Sequence, residues 1–340
     1  MFKHMLSAIL VSAVAISAGS ASAQVKDLRW GTSAVGSAGH KALVTLAEVL
    51  NREMKDYRVT VQPAPGAIVT VKGYATGQFD GYYGADIAFY ELANNVNRFK
   101  GFKSSMKRQP VQSFWAFTIE TGVAVHASNR DKIKKWSDVA GKRMFTGPLP
   151  WDTRAHSERV LAAVGGKHQY VQVDLSAAGS LLGSGGIDAM TIYTSGEASP
   201  PPWLAEASLA ADWAVVNPSA EEIAELKRKG FSLVEVKPEV FRKDVHADKV
   251  VLAPFYYGFH LGLEVPANDV YRLLTIVEKN LSVLAKGNAT YSQLAKDMPG
   301  MQRRGVEAAI DFVPVHPGLA RYMREKGVWN SKWDPRVAKQ

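Results

Sequence analysis

The feature that most constrains this chain is an arrangement of elements that occurs twice. In each half an apolar strand leads into a polar loop and a helix, then a second strand and a second helix, and a Gly-x-x-Asp motif precedes a third strand. The motif occupies residues 77–80 in the first half and residues 185–188 in the second. Strands that alternate with helices predict a parallel sheet covered by helices. We therefore expect an α/β protein built from two similar lobes.

Two long extended segments indicate how the lobes are connected. Residues 114–126 form a run of strand-forming residues that is too long for one ordinary strand. Residues 250–265 form a second such run, which Pro254 and Gly258 interrupt. Two crossover strands of this kind would insert the second lobe within the first and would act as a hinge. The predicted parts are residues 24–118 plus 259–312 for lobe 1, residues 119–258 for lobe 2, and residues 313–340 for a C-terminal helical tail.

The amino terminus predicts export from the cytoplasm. Residues 1–23 combine a basic start at Lys3 with an apolar run over residues 6–16 and an Ala-x-Ala site that ends at Ala23. This is the layout of a cleavable signal peptide, with cleavage after Ala23. The alternative is an uncleaved anchor, but the apolar run is too short to span a bilayer.

Composition excludes several kinds of protein. The chain has no cysteine, which excludes a disulfide scaffold, a cysteine-ligated metal site and a thiol nucleophile. The formal net charge is +9, but lysine and arginine are scattered over predicted helix faces and do not alternate with aromatic residues. We therefore expect no nucleic-acid partner, and the positive charge favours anionic small molecules weakly through steering.

The local signatures of common enzymes are absent from the sequence. There is no Gly-x-Ser-x-Gly nucleophile motif and no His-Glu-x-x-His motif, and Ser37 stands where a phosphate-binding loop would need lysine. The eight histidines are dispersed along the chain. We expect a protein that is not an enzyme and uses no cofactor or metal. A secreted α/β hydrolase with a triad assembled from distant residues is the alternative.

Several short motifs, taken in order, carry a resemblance to a known family. They are residues 30–33 (Trp-Gly-Thr-Ser) with Gly36, residues 77–80 with Asp86, residues 123–126, residues 136–143, residues 185–189 with Gly196 and Pro200, and residues 316–318 (His-Pro-Gly) with Arg321, Tyr322, Glu325 and Gly327. In this order the chain resembles the TAXI-type solute-binding proteins of TRAP (tripartite ATP-independent periplasmic) transporters. The resemblance covers nearly the whole chain after residue 23.

This resemblance implies a fold, a compartment and partners. The implied fold is the two-lobed type II periplasmic-binding-protein fold, with a cleft that closes on a solute. The implied partners are a small organic anion, such as a carboxylate, and the membrane subunits of a TRAP permease, and we expect a periplasmic monomer. The alternative is the solute receptor of an ABC importer, because a fold does not determine its partner.

The chain departs from the family pattern at two cleft positions. The family's Gly-Ser and following Asn after the second strand are here Gly66, Ala67 and Thr70. The Gly-Ser-Gly-Thr that opens the first helix of the second lobe is here residues 150–153, Pro-Trp-Asp-Thr. These positions line the cleft in the family, so the resemblance supports a transport role better than any particular ligand.

The ends of strands and the starts of helices supply the candidate site. Ligands of open α/β sheets bind beyond the carboxyl ends of the strands, where helix N-termini present free N–H groups that suit an anion. Thr153 could instead be a helix cap, and Arg154 is either a partner for a carboxylate or an exposed first-turn residue. Tyr83 is expected to face the cleft, and Tyr82 the core. The predicted solute-binding residues are Thr32, Ser33, Gly36, Ala67, Thr70, Tyr83, Trp151, Thr153, Arg154, Tyr193 and Ser195.

Other conspicuous residues are assigned structural roles. Phe114, Trp115 and Phe117 form a cluster of aromatic residues of the kind that usually packs in a core. Asp80 and Asp188 each precede a strand and are expected to cap a turn rather than to touch solute.

Overall fold

The computed structural model describes residues 25–340. The predicted signal peptide and its cleavage site after Ala23 lie outside this range. Among the described residues, none of the helices has both the length and the apolar character needed to cross a membrane.

The described chain alternates strands and helices through both halves. The strands are β1 (Lys26–Thr32), β2 (Tyr57–Pro63), β3 (Gly81–Ala85), β4 (Trp115–His126), β5 (Arg143–Phe145), β6 (Gln169–Tyr170), β7 (Ala189–Ser195), β8 (Trp213–Val216), β9 (Val234–Val236) and β10 (Val250–Leu261). The α-helices are α1 (Ala38–Glu53), α2 (Ala67–Thr76), α3 (Asp86–Asn94), α4 (Asp152–Ala163), α5 (Ala178–Ser184), α6 (Pro202–Ala210), α7 (Ala220–Arg228), α8 (Ala267–Lys279), α9 (Leu281–Gly287), α10 (Ser292–Lys296), α11 (Met298–Ala309) and α12 (Pro317–Glu325).

The strands form one continuous hydrogen-bonded path through two lobes. The order along the path is β2-β1-β3-β10-β4-β7-β5-β6, with β8 added to β4 and β9 added to β10. Strands β1, β2 and β3 are parallel to one another in lobe 1, and β5, β6 and β7 are parallel in lobe 2. This is the predicted α/β fold with two lobes joined by crossover strands.

The two crossovers are β4 and β10, which run antiparallel to each other between the lobes. Their central pairing matches Glu120 with Pro254, and the register shifts between Tyr257 and Gly258. A proline inside a strand removes one ladder donor, and a register shift bends the strand. The crossover pair therefore contains both interruptions that were predicted from the sequence, Pro254 and Gly258. The exact residue bounds proposed for the lobes and the tail stay a prediction.

The repeated Gly-x-x-Asp motif performs the same structural task in both lobes. Asp80 accepts a hydrogen bond from the backbone N–H of Arg29 at 3.0 Å, and Asp188 accepts one from the backbone N–H of Arg143 at 2.9 Å. Each aspartate also forms an ion pair with the side chain of that same arginine, at 2.9 Å in both lobes. Each aspartate therefore joins the start of its strand to an arginine on the neighbouring parallel strand, which differs from the predicted role of capping its own turn.

Large aromatic side chains fill the core around the crossovers. Phe114, Trp115 and Phe117 are fully or almost fully buried, as predicted. Tyr82 is also buried, and its hydroxyl donates a 2.6 Å hydrogen bond to the carbonyl oxygen of Val111. Helices α8 and α9 follow each other directly and are divided at Asn280.

Candidate solute site between the lobes

A small cavity lies where the two lobes meet the crossover strands. Its volume is about 20 Å³. A space of this size holds about one water molecule. The lining residues are Ser33, Ser37, Ala38, Gly39, Ala67 and Tyr83 from lobe 1, Trp151, Thr153 and Tyr193 from lobe 2, and Ile119 and Tyr257 from the crossovers. The structure thus brings together six of the eleven predicted residues, Ser33, Ala67, Tyr83, Trp151, Thr153 and Tyr193.

Three helices begin at this cavity. Ser37 is the N-cap of α1 and its hydroxyl accepts from the N–H of His40, while α2 and α4 have no side-chain cap. The first residues of all three helices, Ala38, Ala67 and Thr153 among them, line the space. Helix N-termini carry unpaired N–H groups and the positive end of the helix dipole. The positive ends of three helix dipoles therefore point toward the cavity, whose lining contains no charged side chain.

The hydroxyl of Tyr83 is the polar group of the cavity that lacks a partner. Tyr83 is 1% exposed, and its hydroxyl has no hydrogen bond within the described part of the chain. The ring is held in place by stacking on Tyr257, with ring centroids 4.2 Å apart and an interplanar angle of 10°. A buried hydroxyl without a partner costs free energy, and a ligand that supplies the partner recovers it. Tyr83 is therefore a fixed residue of the cavity lining whose hydroxyl is unsatisfied.

The lobes are in direct contact at the rim of the cavity. The indole Nε1 of Trp151 donates to the carbonyl oxygen of Pro65 at 3.0 Å. The Cα of Gly66 packs so closely on lobe 2 that an added Cβ would lie 2.7 Å from the carbonyl oxygen of Pro150. The structure therefore describes a closed arrangement of the lobes, in which a solute with several carbon atoms does not fit the small cavity.

A buried network of charges joins the lobes beside the cavity. Arg98 of lobe 1 donates to Glu91 at 2.7 Å and to Asp152, the first residue of α4 in lobe 2, at 2.6 Å. The hydroxyl of Tyr257 donates to the other carboxylate oxygen of Asp152 at 2.9 Å. Asp152 is completely buried, and burial raises the pKa of Glu91. The Arg98–Asp152 pair thus crosses the interface that must open when solute enters.

Arg154 does not line the cavity, and its role as a partner for a ligand carboxylate stays a prediction. Its guanidinium pairs with Glu158 one turn along the same helix, at 2.9 Å, and lies over the ring of Tyr170 at 4.0 Å. An arginine in the first turn of a helix lies at the positive end of the helix dipole, and a nearby anion offsets this repulsion. The chain supplies that anion itself through an i,i+4 pair.

Four further predicted residues also lie outside the cavity lining. The hydroxyl of Thr70 bonds the backbone of Tyr83, with its N–H at 3.0 Å and its carbonyl oxygen at 2.9 Å, so Thr70 fastens α2 to β3. Gly36 is exposed and its φ of +84° shapes the turn before Ser37. Thr32 and Ser195 are buried with unpartnered hydroxyls but do not line the cavity.

Residues that the sequence did not single out complete the lining. The N-cap and first turn of α1 line the cavity with Ser37, Ala38 and Gly39. A serine directly before an apolar helix is a typical N-cap, and this pattern could have identified Ser37 from the sequence. Ile119 and Tyr257 reach the cavity only because β4 and β10 pair, which no local pattern shows. Among the described residues there is also no group of three or more histidine or acidic side chains that could hold a metal ion.

Solved structures of binding proteins show a distant likeness. A putative L-cystine ABC transporter from Listeria monocytogenes is 13% identical, over 79% of this chain and 97% of that one, with a TM-score of 0.46. The periplasmic aliphatic sulphonate binding protein SsuA from Escherichia coli is 13% identical, over 88% and 90% of the two chains, with a TM-score of 0.41. At these TM-scores neither a ligand nor a transporter class transfers to this chain.

One family model matches most of the chain, whereas a search of curated proteins found no match. The model of the NMT1-like family matches residues 30–327, which include both lobes and every residue of the cavity. Its members are solute-binding proteins of the periplasm. With its two-lobed α/β fold, its crossover strands and its closed interlobe cavity, this chain belongs to the NMT1-like family of periplasmic solute-binding proteins.

Proposed function

We propose that this receptor captures a small organic anion between its lobes, closes by hinge motion about β4 and β10, and hands the solute to a membrane transporter. The observation that carries the proposal is the buried, unpartnered hydroxyl of Tyr83 in a cavity on which three helix N-termini converge. A carboxylate accepts hydrogen bonds from both kinds of group. The aromatic rings of Trp151 and Tyr193 supply an apolar wall for the rest of the solute.

The size of the cavity supports a hinge mechanism. A volume of about 20 Å³ has no room for a multi-carbon solute, so binding requires the lobes to separate and then to close over it. The contacts that would break include the Trp151–Pro65 hydrogen bond, the Arg98–Asp152 ion pair and the hydrogen bond from Gln293 to Glu197. Hinge closure around a ligand is a common motion of two-lobed proteins.

The transporter class is part of the proposal. The ordered motifs of the sequence resemble TAXI-type receptors and favour the membrane subunits of a TRAP permease. The alternative is an ABC importer, the transporter class printed in the name of the Listeria structure. The genes beside the coding sequence separate the two, because a TRAP system encodes a large multi-spanning permease and an ABC importer encodes an ATPase with a phosphate-binding loop.

Export and oligomeric state are proposed on the sequence. A cleavable signal peptide over residues 1–23 would deliver a monomer to the periplasm. N-terminal sequencing of the protein from a periplasmic extract should find Gln24 first, and a retained Met1 would contradict cleavage.

Native mass spectrometry of the purified protein tests the capture of an anion. A closed cleft buries most of a solute's surface, so we expect a mass above that of the chain and release of a carboxylate on denaturation. Tyr83→Phe should lose most of this added mass. A neutral released molecule, or a protein that carries nothing and shows no thermal shift with a broad set of carboxylates, would overturn the anion proposal.

A further inference from the structure

A second and larger space lies between the lobes, next to the cavity. This groove has a volume of about 320 Å³, compared with about 20 Å³ for the cavity. Volumes above roughly 300 Å³ are typical of sites for small organic ligands. The two spaces share Ala38 at the start of α1. The groove therefore provides the room that the closed cavity lacks.

Both lobes contribute to the groove. Lobe 1 contributes Ala38, Lys41, Asn288 and Thr290, and lobe 2 contributes Ser199, Pro200, Pro201, Pro202, Ala205, Ser208, Leu209, Phe241, Arg242 and Lys243. The lobes nearly touch there, since a Cβ added to Gly196 would clash with the carbonyl oxygen of Thr290. The groove consequently takes its shape only when the lobes are closed, and an occupant would stabilise the closed form.

The groove is lined by cations, by the amide of Asn288 and by the hydroxyls of Ser199, Ser208 and Thr290, and its lining contains no acidic side chain. Asn288 is 5% exposed, and its Oδ1 accepts from the N–H of Thr290 at 3.1 Å. Its Nδ2, which can only donate, is buried without a partner in the described chain. Lys41 and Arg242 also line the groove, and neither is in ion-pair contact with an acidic side chain of residues 25–340. Donors and uncompensated cations together select an anionic group.

The remaining wall of the groove is apolar. Three consecutive prolines, residues 200–202, lie beside Leu209 and the ring of Phe241. Leu209 is 90% exposed, which is unusual for a large aliphatic side chain on a helix unless something covers it. A flexible hydrocarbon segment would remove this surface from water and would gain about 25 cal/mol for each Å² that it covers.

We propose that the groove is the second half of the solute site and that the receptor's solute is an elongated organic dianion. One acidic end would occupy the cavity at Tyr83, the hydrocarbon segment would pass Ala38, and the other acidic end would lie between Asn288, Lys41 and Arg242. This inference rests on the proposed capture of an anion between the lobes, and it adds the length and the charge of the solute.

Isothermal titration calorimetry with matched acids tests the groove. The ligands are sebacate, a linear dicarboxylate; decanoate, the monocarboxylate of the same chain length; and acetate. The native receptor should bind sebacate at least about tenfold more tightly than decanoate, because two charge-assisted contacts are added. The double variant Lys41→Gln/Arg242→Gln should abolish that difference, because it removes both cations that would hold the second carboxylate. Lys55→Gln/Arg130→Gln removes the same charge from exposed positions outside the groove and should keep the difference.

A steric variant tests the same site without removing charge. Ala205 is an exposed residue of α6 that lines the groove, so Ala205→Trp should fill it and weaken sebacate without affecting acetate. If the native receptor binds acetate but not sebacate, or if Lys41→Gln/Arg242→Gln keeps the preference for sebacate, the groove inference is wrong and the capture of an anion stands. If none of the three acids binds the native receptor, the groove inference is wrong, while the capture of an anion is decided separately by the native mass spectrometry and the broad set of carboxylates.

Discussion

The indole N–H of Trp151 and the carbonyl oxygen of Pro65 form a 3.0 Å hydrogen bond that joins the two lobes. Trp151 is the N-cap of α4 in lobe 2, and Pro65 lies in the loop between β2 and α2 of lobe 1. Both positions come directly before helices that begin at the cavity. The contact that closes the lobes is therefore built into the same segments that present N–H groups to a solute.

Trp151→Phe should shift the receptor toward its open form. The ring that lines the cavity is kept and one interlobe hydrogen bond, worth about 1 kcal/mol, is lost. We expect about fivefold weaker solute binding and a larger radius of gyration by small-angle X-ray scattering without solute. Trp136→Phe is the matched control, because the indole N–H of Trp136 donates to the carbonyl oxygen of Val216 within lobe 2, at 2.8 Å, and Trp136 does not line the cavity. Equal effects of the two variants would contradict a role of Trp151 in closure.

Gly66→Ala should prevent full closure. The backbone φ of Gly66 is −175°, which alanine adopts without strain, but the new Cβ would lie 2.7 Å from the carbonyl oxygen of Pro150. Since that obstacle is backbone, the lobes themselves must move apart. We expect normal thermal stability, an expanded radius of gyration and at least about tenfold weaker binding. Gly183→Ala, where an added Cβ meets its nearest atom at 3.4 Å, should leave all three unchanged.

The neighbouring residues Tyr82 and Tyr83 should respond in opposite ways to loss of the hydroxyl. Tyr82→Phe removes hydrogen bonds with the carbonyl oxygen and the N–H of Val111, at 2.6 and 2.9 Å, and should lower the free energy of unfolding by about 1–3 kcal/mol. Tyr83→Phe removes a hydroxyl without a partner and should leave stability unchanged or slightly higher, while solute affinity falls. Urea denaturation and calorimetry measure the two effects, and a Tyr83→Phe variant with full affinity would count against the site.

Arg98→Leu should be far more disruptive than loss of an exposed arginine. It leaves Asp152 and Glu91 buried without their cation, and breaking such a network costs about 3–5 kcal/mol unless the lobes open and hydrate it. We expect either that loss of stability by chemical denaturation or an open form by X-ray scattering. Arg29→Leu is the comparison, because Arg29 is half exposed in its pair with Asp80 and should cost less than about 1 kcal/mol. Similar behaviour of both variants would exclude a special role for the interlobe pair.

Stability should fall as the pH rises from 7 to 8, through Glu120 in the hinge. Burial raises the pKa of Glu120 to about 8, although hydrogen bonds from Thr118, Thr194 and the N–H of Glu197 oppose the shift. Between the unfolded pKa and 8, the folded state holds a proton that the unfolded state has lost. The free energy of unfolding therefore decreases with pH, by at most about 1.4 kcal/mol per unit from this one group.

The variant Glu120→Gln isolates this effect. It should reduce the slope between pH 7 and 8 in urea denaturation, and the slope that remains near pH 7 comes from Asp86, whose pKa burial raises to about 7. The buried histidines His156 and His260 do not interfere, because burial lowers the pKa of each to about 3 and both are neutral in this range. Identical slopes for the two proteins would show that Glu120 is ionised in the folded state.

The sequence by itself determined the architecture of this protein. Apolar spacings and turn residues placed the strands and helices, since these signals depend on neighbours a few positions away. The two Gly-x-x-Asp motifs marked equivalent positions in the two lobes, but the arginine that each aspartate binds lies on a neighbouring strand and was not predicted. The crossovers were recognisable because each apolar run is longer than an ordinary strand of one lobe, and a strand that passes between two lobes accounts for that length.

Only the tertiary structure decided which side chains meet at the cavity. Arg154 carried the expected charge, but Glu158 on the same helix pairs with it, and the buried arginine of the interface is Arg98. Tyr257 reaches Tyr83 and Asp152 through strand pairing across more than a hundred residues of chain. A long side chain can pair with any partner within its reach, and that choice depends on distances set by packing of the whole chain rather than on sequence spacing.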